Sequence, residues 1–323
     1  MTFEFDAFVT AALFGKHGAA FALGDGTVRF ESGESVQAHE GAVLSAALHP
    51  SGEGIITGGD DGRVVWSRPS GTQEIAVVKG RWIDCVAASK ESGLIAFGAG
   101  KALHVRDVAD PAFARSFGHD KSVADVAFDP KGRRVASATY GGAALWYARI
   151  AEQKPLMLKW AGSHVALAFS PDGRFLMSSM QENQLHGWRL ADSKDLRMGG
   201  YPAKVKSMVF LAKGQLMATS GAQGAVVWSF AGAGGPMGKE AAEIGYQQNG
   251  MVVRVAGAAD FSFLAAGLED GRIWVTDLRG HHIEPVRAEK GAPISALAMS
   301  TDGKRLAWGD EDGAAGVIEI GPI

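Results

Sequence analysis

The sequence has a single cysteine, Cys85, and lacks any long run of apolar residues. One cysteine excludes an intrachain disulfide framework and is compatible with a reducing compartment. No stretch of about 18 uninterrupted apolar residues occurs, so no membrane-spanning helix is expected. The first residues, MTFEFDAFVT, carry acids where a signal peptide needs positive charge. These absences together predict a cytoplasmic protein with no membrane partner.

An excess of charge of either sign is also missing. The chain has 32 Lys and Arg against 35 Asp and Glu, a net charge of −3, and no long basic run. Nucleic-acid binding relies on Lys and Arg that neutralise phosphates, so the charge pattern gives no support for such a partner. A hydrophobic content of 46% with 21% charged residues is typical of a folded globular protein.

Glycine, by contrast, is abundant, with 44 residues, and many glycines lie in turn motifs that recur along the chain. Examples are DGTVRF, DGRVVW, QGAVVW and DGRIWV, and successive motifs are separated by 36 to 47 residues. A repeat of about 40–45 residues with several short strands is typical of a propeller blade. The motifs begin at Asp25, Asp61, Gly100, Tyr140, Glu182, Gln223, Asp270 and Asp312.

Each repeat has the same internal pattern of short apolar runs separated by turns. VADVAFDPKG (123–132) and RVASAT (134–139) show a first run, a turn and a second run. Such runs indicate strands in antiparallel hairpins. Alternation within them is weak because Ala and Val fill both faces, which suits sheets covered on both sides by neighbouring sheets. The pattern predicts an all-β fold, a single closed β-propeller of four-stranded antiparallel blades over residues 1–323.

Residues 118–148, GHDKSVADVAFDPKGRRVASATYGGAALWYA, are the best preserved copy. This copy resembles a WD40 repeat, and the resemblance extends over nearly the entire chain. In that family His, Ser or Thr, Trp and a turn Asp form a buried hydrogen-bonded tetrad. The resemblance implies structural roles for His119, Ser137 and Trp146, with Tyr140 in place of the Asp. It implies the same for His39, Thr57 and Asp61 of the second repeat, where Ser67 occupies the Trp position.

Eight sets of first, second and third strands can be counted, and residues 1–6 are expected to supply the outer strand of the last blade. A propeller closed in this way leaves no exposed sheet edge. Eight blades are therefore favoured, and seven remain an alternative if the first or last set is a decoration. The sets begin near Val9, Val43, Ile83, Val123, His164, Val205, Val252 and Ile294.

Catalysis has no support in the sequence. No nucleophile motif such as Gly-x-Ser-x-Gly occurs. His281, His282 and Glu284 form the only local cluster of metal-ligand residue types, and adjacent residues of a strand point to opposite faces of a sheet. The sequence therefore predicts no enzyme, no metal and no cofactor.

Function is expected on one rim of the disc. The resemblance implies that two sets of loops share this rim: those from outer to next inner strand, and those from second to third strand. Tyr, Trp and Arg in these loops are residue types that anchor protein interfaces. Trp160 has a second interpretation, because it aligns with His119 and would then fill the space of a missing tetrad histidine. The predicted partner-binding residues are Arg81, Trp82, Tyr140, Trp160, His164, Tyr201, Lys204, Tyr246 and Arg254.

Two functions follow. The favoured one is a non-catalytic scaffold, monomeric on its own, that binds a partner protein or peptide on this rim. The alternative is a central channel that holds a small ligand or supports a reaction. The first residues of the inner strands are expected to line that channel, and one histidine among aliphatic residues is a poor constellation for acid–base catalysis. Inward-pointing charges would strengthen the alternative, and the candidates are Asp84, Asp125, Lys206 and Arg254.

Overall fold

The computed structural model describes residues 1–246, 250–278 and 282–321. In this part of the chain the regular structure consists of thirty short β-strands and one 3₁₀ turn, Ala212–Gly214. Most strands are three to seven residues long, and turns with glycine at positive φ separate many of them. Glycine adopts positive φ without the steric cost that a side chain incurs.

In chain order the first strands are β1 (Thr2–Glu4), β2 (Val9–Gly15), β3 (Gly18–Leu23), β4 (Thr27–Phe30), β5 (Ser35–Gln37), β6 (Val43–Leu48), β7 (Ile55–Gly59), β8 (Arg63–Arg68), β9 (Gly71–Val77), β10 (Cys85–Ser89), β11 (Leu94–Ala99), β12 (Ala102–Asp107), β13 (Ala114–Gly118), β14 (Asp125–Phe128) and β15 (Arg134–Tyr147). They continue with β16 (Leu156–Phe169), β17 (Phe175–Met180), β18 (Leu185–Arg189), β19 (Lys194–Met198), β20 (Met208–Leu211), β21 (Leu216–Thr219), β22 (Ala225–Ser229), β23 (Ala242–Ile244), β24 (Val252–Ala256), β25 (Phe263–Leu268), β26 (Ile273–Asp277), β27 (Ile283–Arg287), β28 (Ile294–Met299), β29 (Arg305–Asp310) and β30 (Ala314–Glu319).

These strands form antiparallel sheets whose inner strands pack side by side in a ring, which is the architecture of a β-propeller. Six sheets have four strands each: β2–β5, β6–β9, β10–β13, β20–β23, β24–β27, and β28–β30 with β1. The seventh sheet has six strands, β14–β19. The prediction of an all-β propeller with four-stranded antiparallel blades is confirmed.

The number of blades differs from the number favoured by the sequence. Counted as sheets the propeller has seven blades, not the favoured eight, but neither the first nor the last strand set is a decoration. The strand sets that begin near Val123 and His164 share the six-stranded sheet, because β15 and β16 each contain 14 residues. Residues 156–159 of β16 pair with β15, and residues 164–169 pair with β17. The two limbs of β15 flank Tyr140, and Ala148 N donates to Arg133 O across their base at 2.9 Å.

Strand β1 lies at the outer edge of the sheet that contains the last three strands of the chain. Thr2 pairs with Gly316 and Glu4 with Ala314 in antiparallel register. Phe3 and Phe5 reach the next blade, where each ring centroid lies 5.6 Å from that of Phe21. The two ends of the described chain are thus joined in one sheet.

The core lies between neighbouring sheets. At or just before the start of several inner strands, an apolar residue packs against a glycine in the second strand of the preceding blade. A Cβ added at Gly267 would lie 2.6 Å from Ile294 Cγ2, and one at Gly98 would lie 3.0 Å from Val123 Cγ1. The expectation that the first residues of the inner strands line the channel is therefore wrong. They are buried between blades, and they comprise Val9, Val43, Ile83, Val123, His164, Val205, Val252 and Ile294.

Candidate functional site

The second repeat contains three of the hydrogen-bonded tetrad residues. His39 Nε2 lies 2.8 Å from Thr57 Oγ1, and His39 Nδ1 lies 3.0 Å from Asp61 Oδ1. Thr57 Oγ1 donates to Val65 O at 3.3 Å, which ties the second strand to the third. Burial lowers the pKa of His39, which favours the neutral ring. The hydrogen bonds of His39 join the loop before the inner strand to the second strand and to the turn at Asp61.

The best preserved repeat, residues 118–148, has fewer of these hydrogen bonds than the second repeat. His119 Nε2 lies 2.7 Å from Ser137 Oγ, and the Trp146 ring stacks on Phe117 with centroids 4.6 Å apart. His119 Nδ1 has no hydrogen-bond partner within the described residues. Tyr140, which stands where Asp61 stands in the second repeat, turns outward and is 64% exposed.

Tyr201 forms hydrogen bonds inside its blade, a structural role that the sequence analysis did not predict. Its hydroxyl lies 2.7 Å from Thr219 Oγ1 and accepts a hydrogen bond from Trp228 Nε1 at 2.7 Å. The side chain is 8% exposed, and burial raises the pKa of Tyr201 to about 12. Its position four residues before the inner-strand residue Val205 matches that of His119 before Val123. Because its side chain is buried, Tyr201 is not available for direct contact with a partner on the rim.

Trp160 and His164 lie inside the neighbouring repeat. The Trp160 ring stacks on His186 with centroids 4.0 Å apart and an interplanar angle of 13°. His164 is fully buried, with Nδ1 2.9 Å from Ser178 Oγ and Nε2 3.1 Å from Trp160 O. This geometry fits the second interpretation of Trp160, as a residue that fills the place of a tetrad histidine. His164 is likewise an internal group.

Two of the predicted rim residues, Arg81 and Trp82, lie together at the surface. Trp82 is 67% exposed, and Arg81 beside it lies over Gly100. Arg81 and Trp82 line a cleft of about 290 Å³ together with Ser122 and Val123. Tyr140 lies on the neighbouring strand β15, two residues beyond Ala138, which pairs with Asp125 at the start of β14.

Lys79, Lys101 and Lys121 are exposed, and each is next in sequence to a residue of this cleft: Gly80, Gly100 and Ser122. None of the three lysines is paired with an acid within the described chain. Asp84 and Asp120 lie in the same region, which leaves an excess of positive charge. We call this surface the basic sector, and it consists of Lys79, Arg81, Trp82, Lys101, Lys121 and Tyr140.

The other predicted partner-binding residues are spread around the molecule. Lys204 is half-buried and donates to Gln181 Oε1 at 2.7 Å, whereas Tyr246 is exposed. Arg254 donates through Nε to Ser295 O at 2.7 Å and through Nη1 to Val253 O at 3.0 Å. Arg254 therefore links two inner strands, and the structure does not bring it to the basic sector.

Polar side chains near the centre also connect neighbouring blades. Thr10 Oγ1 donates to Val43 O at 3.0 Å, and Ser295 Oγ donates to Val9 O at 2.7 Å. Asp125 Oδ2 accepts from Leu167 N at 2.6 Å. Burial raises the pKa of Asp125 to about 7 and also raises the pKa of Asp84.

Neither a metal-binding cluster nor a membrane-spanning helix occurs in residues 1–246, 250–278 and 282–321. This part contains no group of three or more His, Cys, Asp or Glu residues that could hold a metal ion. It also contains no helix that is long and apolar enough to cross a membrane. The candidate cluster at His281 falls partly outside the described residues.

A family model described as "WD domain, G-beta repeat" matches residues 31–66 and 112–146. The first match contains His39, Thr57 and Asp61, and the second contains His119, Ser137 and Trp146. The fold is a β-propeller, and two of its repeats match the WD40 family model. The chain carries two recognisable WD40 repeats, which confirms the resemblance seen in the sequence.

A similar solved structure is the crystal structure of the computationally designed Ika8 protein. The TM-score is 0.79 at 20% sequence identity, with 98% of each chain covered. At this identity the likeness concerns the fold alone. No curated protein sequence matches the chain.

Proposed function

We propose that this propeller is a non-catalytic scaffold that binds a partner protein or peptide through the basic sector. WD40 propellers are commonly interaction scaffolds. The observation that carries the proposal is the 67% exposure of Trp82 in a cleft shared with the unpaired Arg81, together with the 64% exposure of Tyr140 on the neighbouring blade. Trp, Tyr and Arg dominate the energetics of protein interfaces because they combine contact area with polar groups. The proposal has the protein acting as a monomer in the cytoplasm.

The charge of the sector indicates the chemistry of the partner. Lys79, Lys101 and Lys121 carry no ion pair within the described residues and would face an acidic segment. Complementary charge raises the rate of association and is screened by salt. We therefore propose a partner segment that combines carboxylates with apolar side chains.

The proposal is narrower than the set of residues taken from the sequence. Arg81, Trp82 and Tyr140 form its centre, and Tyr246 and Lys204 are rim positions outside the basic sector. Four predicted residues are left out because their side chains are engaged inside the propeller; they are Trp160, His164, Tyr201 and Arg254.

Affinity purification with quantitative mass spectrometry tests this proposal. The combined Arg81→Ala, Trp82→Ala and Tyr140→Ala variant should capture the specific partner at least about tenfold less than the parent protein. The matched control replaces Lys131, Tyr147 and Ile150, which are also exposed, with Ala. Equal capture by the two variants would contradict the proposal, and circular dichroism melting curves verify that both are folded.

A second candidate function is the binding of a small ligand in the central channel. The observation that favours it is a carboxyl between two inner strands: Asp125 of β14 accepts from Leu167 N of β16 at 2.6 Å, and burial raises the pKa of Asp125 to about 7. A carboxyl that titrates near neutral pH can exchange a proton with a ligand. Native mass spectrometry of the purified protein tests this candidate: a bound small molecule lost in Asp125→Asn would support it, and its absence would count against it.

A further inference from the structure

A cavity of about 670 Å³ lies against the blade formed by β20–β23, outside the basic sector. Its volume falls in the range of about 300–1,000 Å³ that is typical of ligand pockets. Three aromatic residues and two acids contribute to its wall: Tyr201, Trp228, Tyr246, Glu240 and Glu243.

The cavity exists because the outer strand of this blade is short. Strand β23 has three residues, and its pairing with β22 ends at Val227 and Ala242. In the blade of β6–β9 the outer strand has seven residues and pairs along the whole of β8. Residues 231–241 leave the sheet instead, so the Trp228 side chain has no outer-strand neighbour and stays half exposed.

The polar groups of the cavity favour a positively charged ligand. Glu240 is exposed and has no partner within the described residues. Glu243 Oε1 accepts from Gly224 N at 2.7 Å, and its second oxygen is free in the described part of the chain. Lys239, the one cation of the wall, already donates to Ser229 Oγ at 3.3 Å and to Ala231 O. Lys239 keeps its charge but forms no ion pair with either carboxylate, so the wall has two negative charges, one positive charge and a net charge of −1.

The aromatic groups point to the same kind of ligand. The Trp228 indole N–H is already bound to the Tyr201 hydroxyl, so these two residues offer ring surface and no free indole donor. A cation near an aromatic face is attracted by the negative face of the ring, and more strongly when the cation is desolvated. Aromatic surface together with a wall of net negative charge is complementary to an organic cation with an apolar stem.

We propose that this cavity binds the cationic side chain of a lysine or arginine presented by a peptide. The ammonium or guanidinium group would lie against Glu240 and Glu243, and the aliphatic stem would lie on the Trp228 ring. Tyr246, which is exposed and whose hydroxyl is unpaired in the described residues, would cover the stem from the open side. This site is separate from the basic sector and binds the opposite charge.

The first experiment uses N-acetyl-L-arginine methylamide and N-acetyl-L-lysine methylamide as probes on the full chain. Titration followed by ¹H–¹⁵N NMR should shift the Trp228 indole signal, assigned by Trp228→Phe, in a saturable manner. N-acetyl-L-norleucine methylamide has a similar stem without the charge and should give at most a weak shift. Equal shifts with norleucine, or none with the cationic probes, would overturn the proposal.

The second experiment removes the negative charge of the cavity. Glu240→Gln combined with Glu243→Gln should weaken binding of the arginine probe about fivefold, because both carboxylates are lost while the acceptor for Gly224 N is kept. The matched control, Glu91→Gln combined with Glu152→Gln, changes the net charge equally at exposed sites away from the cavity. Unchanged affinity in the cavity variant, or the same loss in the control, would refute the site. Glu240→Gln alone provides the test if the double variant does not fold.

Discussion

The position four residues before a buried residue of the inner part of a blade is filled by very different side chains in the repeats of Val9, Val43, His164 and Val205. His39 and Tyr201 use it to hydrogen-bond a hydroxyl of the second strand. Trp160 stacks on a histidine there, and Phe5 packs against Phe21. A buried polar network is stable only when its members are satisfied, so aromatic packing is an alternative way to fill the same space. This variety accounts for a repeat that has few recognisable tetrad residues.

A residue-scale prediction concerns His186, which is fully buried and has no hydrogen-bond partner at either ring nitrogen in the described residues. Burial lowers the pKa of His186 to about 4, so protonation favours the unfolded state, where histidine titrates near 6.5. The free energy of unfolding should therefore fall as the pH drops from about 6.5 toward 4. His186→Phe keeps the stack on Trp160 and should remove on the order of 1–2 kcal/mol of the loss between pH 7 and pH 5.

Urea unfolding at both pH values measures this difference. The exposed His17→Phe serves as the control and should retain the acid sensitivity of the parent protein. Identical pH profiles for His186→Phe and the parent protein would show that His186 does not contribute.

At the scale of the element, the contact between blades repeats with a fixed geometry. A residue at or just before the start of an inner strand packs against the second strand of the preceding blade, and Gly58, Gly98 and Gly267 provide the space. Close packing of this kind tolerates little added volume, because neighbouring side chains must leave their preferred rotamers. The glycines at these positions therefore set the distance between blades.

Gly267→Ala tests this packing. A Cβ there would lie 2.6 Å from Ile294 Cγ2 and 2.8 Å from Ile294 Cβ, so overpacking should lower the free energy of unfolding by about 1–3 kcal/mol. Gly118→Ala is the matched control, since no atom lies within 4 Å of its added Cβ, and it should change stability by less than about 0.5 kcal/mol. Chemical denaturation gives both values. A neutral Gly267→Ala would mean that the blades are not in tight contact at this point.

The repeat spacing predicted the strands and the propeller, because short apolar runs and glycine turns are local properties of the sequence. It did not predict the shared six-stranded sheet, which depends on the chain staying extended from Trp160 to His164 with Gly162 at a φ of +123°. It also placed Tyr201 and His164 at the surface, since a loop position does not reveal that a side chain turns inward. The structural role of Tyr201 could have been predicted from its spacing, because Tyr201 precedes Val205 by four residues, as His119 precedes Val123.

At the scale of the whole molecule, β1 completes the sheet that contains β28–β30. Met1 N donates to Val317 O at 2.9 Å, and Phe5 N donates to Gly313 O at 2.8 Å. Without this strand, β30 would expose an unpaired edge and the Phe21 cluster would lose two aromatic neighbours. Unpaired edges invite association with other chains.

Deletion of residues 1–6 should therefore lower the melting temperature by about 5–10 °C, because two partly buried phenylalanines and a strand pairing are lost. Phe3→Ala combined with Phe5→Ala keeps the strand and should give a smaller decrease. Differential scanning calorimetry measures both. An unchanged melting temperature after the deletion would contradict a stabilising role for β1.

The central claim is that a partner covers the basic sector, and hydroxyl-radical footprinting of the purified complex tests it most directly. Trp82 and Tyr140 are exposed in the free protein. Tyr147, the last residue of β15 and seven residues after Tyr140, is 56% exposed and serves as the internal control. The account predicts that oxidation of Trp82 and Tyr140 decreases in the complex while oxidation of Tyr147 stays the same. Equal oxidation of Trp82 and Tyr140 in the free and bound protein would contradict it.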